Sequence, residues 1–429
     1  MNFPRHTAYR DSGVGWIGRV PSSWSVMPLR RAVSLVTDRA AGRSSPIALE
    51  NVEGWTGKFI ETRSVYDGNG TAFATGDILF GKLRPYLAKV WLATQPGEAV
   101  GDFHVLRNSE FSIGPFIQNL LLCREVISQI SGATQGAKMP RSGWDFMGSI
   151  LVPMPSTCEQ QRIVDFISRQ TRKIDQLVAE YETLTSILFQ KKQAVISHAV
   201  TSGVHPVPVG RSSGASWMTE LPLHWPVVPI RALFRFVKRP GACEGEVLSV
   251  YRDYGVIKKN SRSDNFNKTP DDLSTYQAVR IGDLVVNKMK AWQGSLGISI
   301  YDGIISPDYA VFEPTSKQSS SYMNWLLRCN LFPGIYRSIS NGIRPNQWRL
   351  EPDRFKELKI PLPPAEEQIE ISSHLDELVL RYDELREETH GAIALLRERR
   401  AALISAAITG KIDVGGLVET ALDTQAEAA

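Results

Sequence analysis

Three stretches of this sequence have residue types and spacings that could support catalysis. Residues 13–18, GVGWIG, fit the GxGxxG spacing that lets a loop approach a dinucleotide pyrophosphate. That chemistry needs a strand before the loop and a helix after it, so that the phosphate meets a helix N-terminus. Here polar HTAYRDS precedes and VPSSW follows, which predicts a structural turn. GRSSG, residues 210–214, has the nucleophile-elbow pattern around Ser212, yet it lies in a Pro-, Gly- and Ser-rich linker. PDRFKELK, residues 352–359, holds Asp353, Glu357 and Lys359, the ingredients of a metal-dependent nuclease. Such carboxylates must converge on one ion, and a solvated turn is expected instead. The seven histidines form no HExxH, and there is no GxxxxGK[ST] phosphate loop. No residue is assigned a catalytic or metal-ligating role.

What remains is binding chemistry. GKLRPY (81–86) places Lys82, Arg84 and Tyr86 just beyond a strand, and GAKMPRSGW (136–144) adds Lys138, Arg141 and Trp144. Further along, NKMKAWQG (287–294) offers Asn287, Lys288, Lys290, Trp292 and Gln293. SNGIRPNQW (340–348) then offers Arg344, Asn346 and Gln347. Arg and Lys suit phosphates and guanine edges, and Asn and Gln suit adenine edges. These loops are the candidate DNA contacts, against the alternative of ordinary solvated loops with the tryptophans in the core.

The loops recur because the chain repeats itself. SGVGWIGRVPSSWSVMPLR (12–30) aligns with SGASWMTELPLHWPVVPIR (213–231) at an offset of 201. GDILFGK (76–82) aligns with GDLVVNK (282–288) at 206. VPMPSTCEQQRI (152–163) aligns with IPLPPAEEQIEI (360–371), and KKQAVI (191–196) with RRAALI (399–404), both at 208. The stretches between these blocks diverge: ENVEGWTGKFIETRS has no partner in VYRDYGVIKKNSRSD. A shared frame with different filling implies one scaffold carrying two different binding surfaces.

Each half predicts a mixed α/β part followed by one long helix. DILF, KVWLA, LVVNKM and LGISIY read as strands, and FIQNLLLCREVISQI and SYMNWLLRCNLF as single helices. The globular parts are expected at 1–155 and 204–362, the latter with a linker leading in. The long helices are expected at 156–203 and 363–411, and a flexible tail at 412–429. Ser156 and Glu159 fit a capping box, and Pro364 suits a first helical position. Ile174, Leu177, Tyr181, Leu184 and Leu188 space as a heptad seam. Leu378, Tyr382, Leu385 and Leu396 continue it in the second copy, with Lys191 and Arg399 at one shared seam position. Helices of ~65 Å carrying such stripes predict an antiparallel coiled-coil pair. Gly391 inside the second helix has Thr183, not glycine, opposite it. The PxPxxxEQ stretches are read mainly as helix starts pre-set by proline, with a partner surface as the rest. Trp24 and Trp225 are expected to pack in the core and lock each globular part against the helices.

Composition agrees with a folded protein: 42% hydrophobic and 22% charged residues over 429 positions, enough for two or more domains. Lys and Arg number 49 against 45 acids, for a net charge of +4, which permits a nucleic-acid partner without demanding one. Cys123, Cys158, Cys243 and Cys329 form no CxxC pair, as expected of reduced thiols in the cytoplasm. The first residues carry no apolar signal-peptide core, and no run approaches the ~18 apolar residues of a membrane span.

With these pieces together the sequence resembles the specificity subunits of type I restriction–modification systems. The matching residues are RDSGVGWIGRVPSSW, both GD-strand-Lys segments, both P-x-P…E-Q helix starts, and the helix ends KKQAVISHAVTSG and RERRAALISAAITGKI. The resemblance implies two target recognition domains, each reading half of a split double-stranded DNA site. It implies long helices that space them and dock two methyltransferase subunits, with restriction/motor subunits joining that core. It further implies a subunit with no chemistry or cofactor of its own, inside a complex that uses S-adenosylmethionine, ATP and magnesium. An interaction scaffold whose two α/β modules bind protein rather than DNA is the alternative.

Overall fold

The computed structural model describes residues 3–39, 45–62, 70–134, 139–205, 210–215, 218–241, 244–262, 269–270, 272–342 and 348–417. The chain divides into two compact units, residues 1–181 with 390–429, and residues 182–389. Each unit therefore holds one globular part together with a segment of both long helices.

The sheets show the duplication most clearly. In the first unit β1 (Val33–Val36), β2 (Ile78–Gly81), β3 (Val90–Leu92) and β4 (Phe103–Asn108) form an antiparallel sheet ordered β1-β4-β2-β3. In the second, β5 (Phe234–Val237), β6 (Leu284–Asn287), β7 (Leu296–Ile298) and β8 (Tyr309–Pro314) repeat that order as β5-β8-β6-β7. Both faces of each central strand are covered. Ile78 and Phe80 enter the main core while Leu79 enters a smaller one, and Leu284 and Val286 part from Val285 in the same way. Covering both faces removes the need for polar alternation, so DILF and LVVN are continuous apolar runs.

The two predicted single helices are each broken. Gly114–Leu121 is followed by Arg124–Gly132, and Ser320–Arg328 by Phe332–Ser338. The break falls on Cys123 and Cys329, both in extended backbone, and it turns each buried thiol toward a long helix. Cys123 Sγ donates to Glu125 (2.9 Å), whose other oxygen accepts from Ser405 Oγ (2.6 Å). Ser197, the equivalent of Ser405, hydrogen-bonds Cys329. Burial pushes both thiols up to about 12. Cys158 is exposed, and Cys243 lies outside the described residues. In a Cys243→Ser chain at about pH 8, iodoacetamide will label Cys158 and spare the other two until denaturant is added. Mass spectrometry of the labelled peptides checks this, and fast labelling of Cys123 would contradict the packing.

The long helices are α1 (Thr157–Ser202) and α2 (Ala365–Ile408). In the first unit Ile163, Phe166 and Ile167 of α1 share a core with Leu403, Ile404, Ala407 and Ile408 of α2. In the second, Ile196, Ala199 and Val200 of α1 share one with Ile371 and Leu375 of α2. Start meets end in both units, an antiparallel pairing. α2 passes through Gly391 without interruption, and Pro364 stands immediately before its first residue.

The seam differs from the expected one. Ile174 is buried and Tyr181, Leu188, Leu378, Tyr382 and Leu396 are partly buried, but Leu177, Leu184 and Leu385 stand 44, 42 and 47% exposed. Val178 and Thr185 take the inward positions instead. The expected Lys191 and Arg399 face solvent, and their neighbours turn inward. Lys192 pairs with Asp383 at 2.8 Å, and Arg400 with Asp175 at 2.9 Å. Lys192 aligns with Arg400 and Asp383 with Asp175, so one ion pair is written twice. A charged seam position fixes register where leucines alone would allow sliding.

The segment after α2 is no loose tail where it is described. Ile412 and Val414 are buried in the first core. The Asp413 amide donates to Pro4 O (2.9 Å), and Tyr9 Oη donates to Gly410 O (3.0 Å). Among the described residues no helix is long and apolar enough to cross a membrane.

Candidate nucleic-acid interface

The repeated motifs divide into those that clamp each globular part to the helices and those that present its loops. The clamp begins with the strand after each tryptophan. Ser25–Pro28 pairs antiparallel with Leu151–Met154, and Val227–Pro229 with Lys359–Pro361, so the duplicated lead-in strand meets the P-x-P strand. Trp24 is buried and donates its indole N–H to Glu159 (2.8 Å), and Trp225 does the same to Glu367 (2.8 Å). Ser156 Oγ caps α1 by accepting from the Glu159 amide (3.3 Å), but the Glu159 carboxylate faces Trp24 rather than closing a capping box. The following glutamines are buried. Gln160 accepts from the Ile113 amide (3.0 Å) and donates to Phe111 O and Pro155 O. Gln368 accepts from the Ser319 amide (2.9 Å) and donates to Pro363 O. The E-Q pair is therefore a latch between helix start and globular part. The sequence carried the signal, a recurring Trp and E-Q, but not the pairing between them.

The GD-strand-Lys motif sets the loops. Gly76 and Gly282 take φ of +89° and +91°, where a side chain would be strained. The buried Asp77 accepts from the Ala74 amide and pairs bidentately with Arg107 (2.8 and 2.7 Å). Asp283 accepts from the Arg280 amide and pairs with Arg239, which also binds Glu313 (2.7 Å). The lysine that ends each motif sits where two loops join. Lys82 N donates to Asp102 O and Lys82 O accepts from Ser142 N (2.8 and 2.9 Å). Lys288 N donates to Asp308 O and Lys288 O accepts from Leu350 N (3.2 and 2.8 Å). The two predicted loops are thus brought together in both copies.

Around that junction the first copy gathers Lys82, 3.9 Å from Asp102, and Arg141, 3.0 Å from the same carboxylate. Arg84 stands beside them, exposed, its amide bonded to Pro140 O (2.8 Å), with exposed Tyr86 on the same turn. Two cations share one acid, so excess positive charge faces solvent. In the second copy Lys290 and Gln293 are exposed on one short turn. Lys288 instead donates to Pro307 O (2.7 Å), and burial lowers its pKa. Asn287 is buried and accepts from the amides of Met289 and Lys290, so it shapes the turn. Trp292 and Trp348 meet edge to face at 5.5 Å, and Arg337 lies 4.6 Å over Trp348. Lys138, Arg344, Asn346 and Gln347 lie outside the described residues.

The catalytic look-alikes do not assemble among the described residues. GVGWIG is the loop of a hairpin between strands Tyr9–Asp11 and Arg19–Pro21. Ser212 lies within a strand. Asp353 pairs with Lys356 (2.7 Å) and Glu357 with Arg231 (2.9 Å), so these acids face different cations.

The chain is built as two copies of one sheet-and-latch module, each with loops joined at the lysine that ends its GD motif. Residues 222–393 match the family model described as the type I restriction modification DNA specificity domain. Over 173 residues, 38% of this chain, it is 27% identical to the type I restriction enzyme EcoDI specificity subunit of Escherichia coli. That match spans 37% of the relative's length. A solved chain from work on complex assembly and conformational transition of the type I R-M system superposes with a TM-score of 0.68 at 18% identity. It covers 91% of this chain and 98% of that one. The HsdS subunit from Thermoanaerobacter tengcongensis gives 0.52 at 17% identity, covering 92 and 98%. The family match thus covers residues 222–393, and over nearly its whole length the chain has a fold similar to those solved chains.

Proposed function

We propose that this chain is the non-catalytic DNA sequence-specificity subunit of a type I restriction–modification complex. It reads a bipartite double-stranded site, one half with each globular part. The observation that carries this reading is the recurrence of one loop junction, Lys82 with Asp102 and Ser142, then Lys288 with Asp308 and Leu350. Recurrence at matched loops with unmatched side chains is what two readers of two different half-sites need. The helix pair would hold the half-sites on one face of the duplex, ~34 Å apart per helical turn. The exposed leucines Leu177, Leu184 and Leu385 would serve docking of two methyltransferase subunits, with restriction/motor subunits joining that core. S-adenosylmethionine, ATP and magnesium would belong to those partners.

Footprinting of the reconstituted complex tests the proposal. Two short protected tracts separated by a fixed gap are expected. A scaffold for proteins would protect no split sequence, and methyl transfer by the purified chain alone would refute a non-catalytic role. Inserting one heptad near Leu184 adds ~10 Å of helix. The preferred gap is expected to lengthen while both half-site sequences stay the same, and an unchanged gap would refute spacing by the helices.

A further inference from the structure

The strongest difference between the two copies lies where their sequences diverge. In the second unit, residues 248–258 form an antiparallel ribbon, Leu248–Tyr251 with Gly255–Lys258. Among the described residues, the corresponding stretch of the first unit forms no such ribbon: it has the two-residue strand Pro46–Ile47, the short 3-10 turn Leu49–Asn51 and an isolated bridge between Val52 and Phe59. The ribbon is rooted by Leu248, Val250 and Val256 in a small apolar cluster. Its tip is held from below, because the largely buried Arg328 donates to Arg252 O (3.0 Å). The side chains on and after the tip are of another kind. Tyr254 is 58% exposed, and the Arg262 guanidinium lies 4.6 Å from its ring centre and 5.3 Å from that of Tyr251. Arg252, Lys258, Lys259 and Arg262 stand in this segment against Asp253, with Glu246 3.6 Å from Lys258. The tip also abuts the candidate loop. A methyl group placed on Gly294 would lie 4.0 Å from Cγ of Arg252, one residue from Gln293.

We propose that this ribbon is the base-discriminating element of the second reader, and that Arg262 is its specificity-determining cation. The inference rests on the specificity-subunit reading above and adds to it the element and residue. A two-stranded ribbon fits the major groove. An arginine held over two tyrosine rings has fewer rotamers open to it, so less side-chain entropy is lost when its fork meets the O6 and N7 of a guanine. Lysine at the same place keeps the charge and its attraction to phosphate but loses the fork. Lys290 and Gln293, beside the tip, border the same groove.

The test is methylation-site mapping with the chain reconstituted with its methyltransferase partners, comparing wild type with Arg262→Lys, Arg262→Ala and Tyr254→Ala. Arg262→Lys is expected to relax preference at one base pair of one half-site by roughly ten- to a hundredfold, leaving the other half-site and complex assembly intact. Tyr254→Ala should relax the same base pair more weakly. Exchanging residues 20–150 for another reader must then leave the relaxed base pair in the retained half-site. A sequence-specific wild-type complex whose Arg262→Lys variant keeps every base preference overturns this inference alone. A relaxed position that follows the exchanged first reader also overturns it. A wild-type complex that protects no split site overturns the subunit reading, and this inference with it.

Discussion

Replacing Trp225 by alanine will destabilise the second unit by about 3–5 kcal/mol, the cost of truncating a large buried aromatic side chain. The ring is fully buried in the main core of that unit, and its indole N–H is bound to Glu367. Two losses combine: apolar surface returns to water, and the helix start loses its tie to the globular part. Trp225→Phe separates them. It keeps most of the volume and removes chiefly the charge-assisted hydrogen bond, for about 1.5–3 kcal/mol, with a smaller cavity cost for the lost ring atoms. The carboxylate left behind is not stranded, because His224 lies 2.6 Å from it. That places the phenylalanine variant at the low end of the range. Guanidinium unfolding of the full chain, followed by circular dichroism, measures both. An alanine variant with an unchanged midpoint would show that the latch is not what holds this helix start.

Asp283→Ala should cost about 3–5 kcal/mol, and more than the matching Asp77→Ala. Both acids are buried and both accept a backbone amide three residues earlier. Their arginines differ. Arg239 is largely enclosed, whereas Arg107 is half exposed and can turn to water when its partner is lost. Glu313 remains beside Arg239 and offsets part of the penalty. For Asp77→Ala about 1–3 kcal/mol is expected, mainly the orphaned amide and the lost ion pair. Unfolding midpoints of the two variants decide between them. Equal losses would mean that enclosure of the arginine does not set the cost.

The sequence shows the repeat, the long helices and the loops to inspect, because each is written in local pattern: block spacing, uninterrupted helical runs, and Gly-punctuated basic stretches. It does not show what those patterns meet. The seam is the clearest case. Leu177 and Leu184 have the heptad spacing and the bulk, yet they are exposed while the adjacent Val178 and Thr185 are partly buried. The phase of a stripe is chosen by the opposite surface, including the Lys192–Asp383 and Arg400–Asp175 pairs. The helix break at Cys123 carries no Pro or Gly, since Ser405, which meets the Cys123–Glu125 pair, lies far along the chain, whereas the break at Cys329 has a local cause in Pro333, in the first turn of the next helix. Among the candidate contacts, Lys82, Arg84 and Arg141 lie around one loop junction, a meeting of two loops that the sequence does not show. The ribbon at residues 248–258 was legible only as a stretch without a counterpart.

The core of the first unit is finished by the final stretch of α2 and by Ile412 and Val414. During synthesis, residues 1–181 must therefore wait for residues beyond 390 before their core can close. The second unit, encoded entirely between residues 182 and 389, has no such delay. A nascent chain stalled before residue 390 would hold one completed body and one with bare apolar residues. Quality-control proteases and chaperones would meet the amino-terminal body in its vulnerable state.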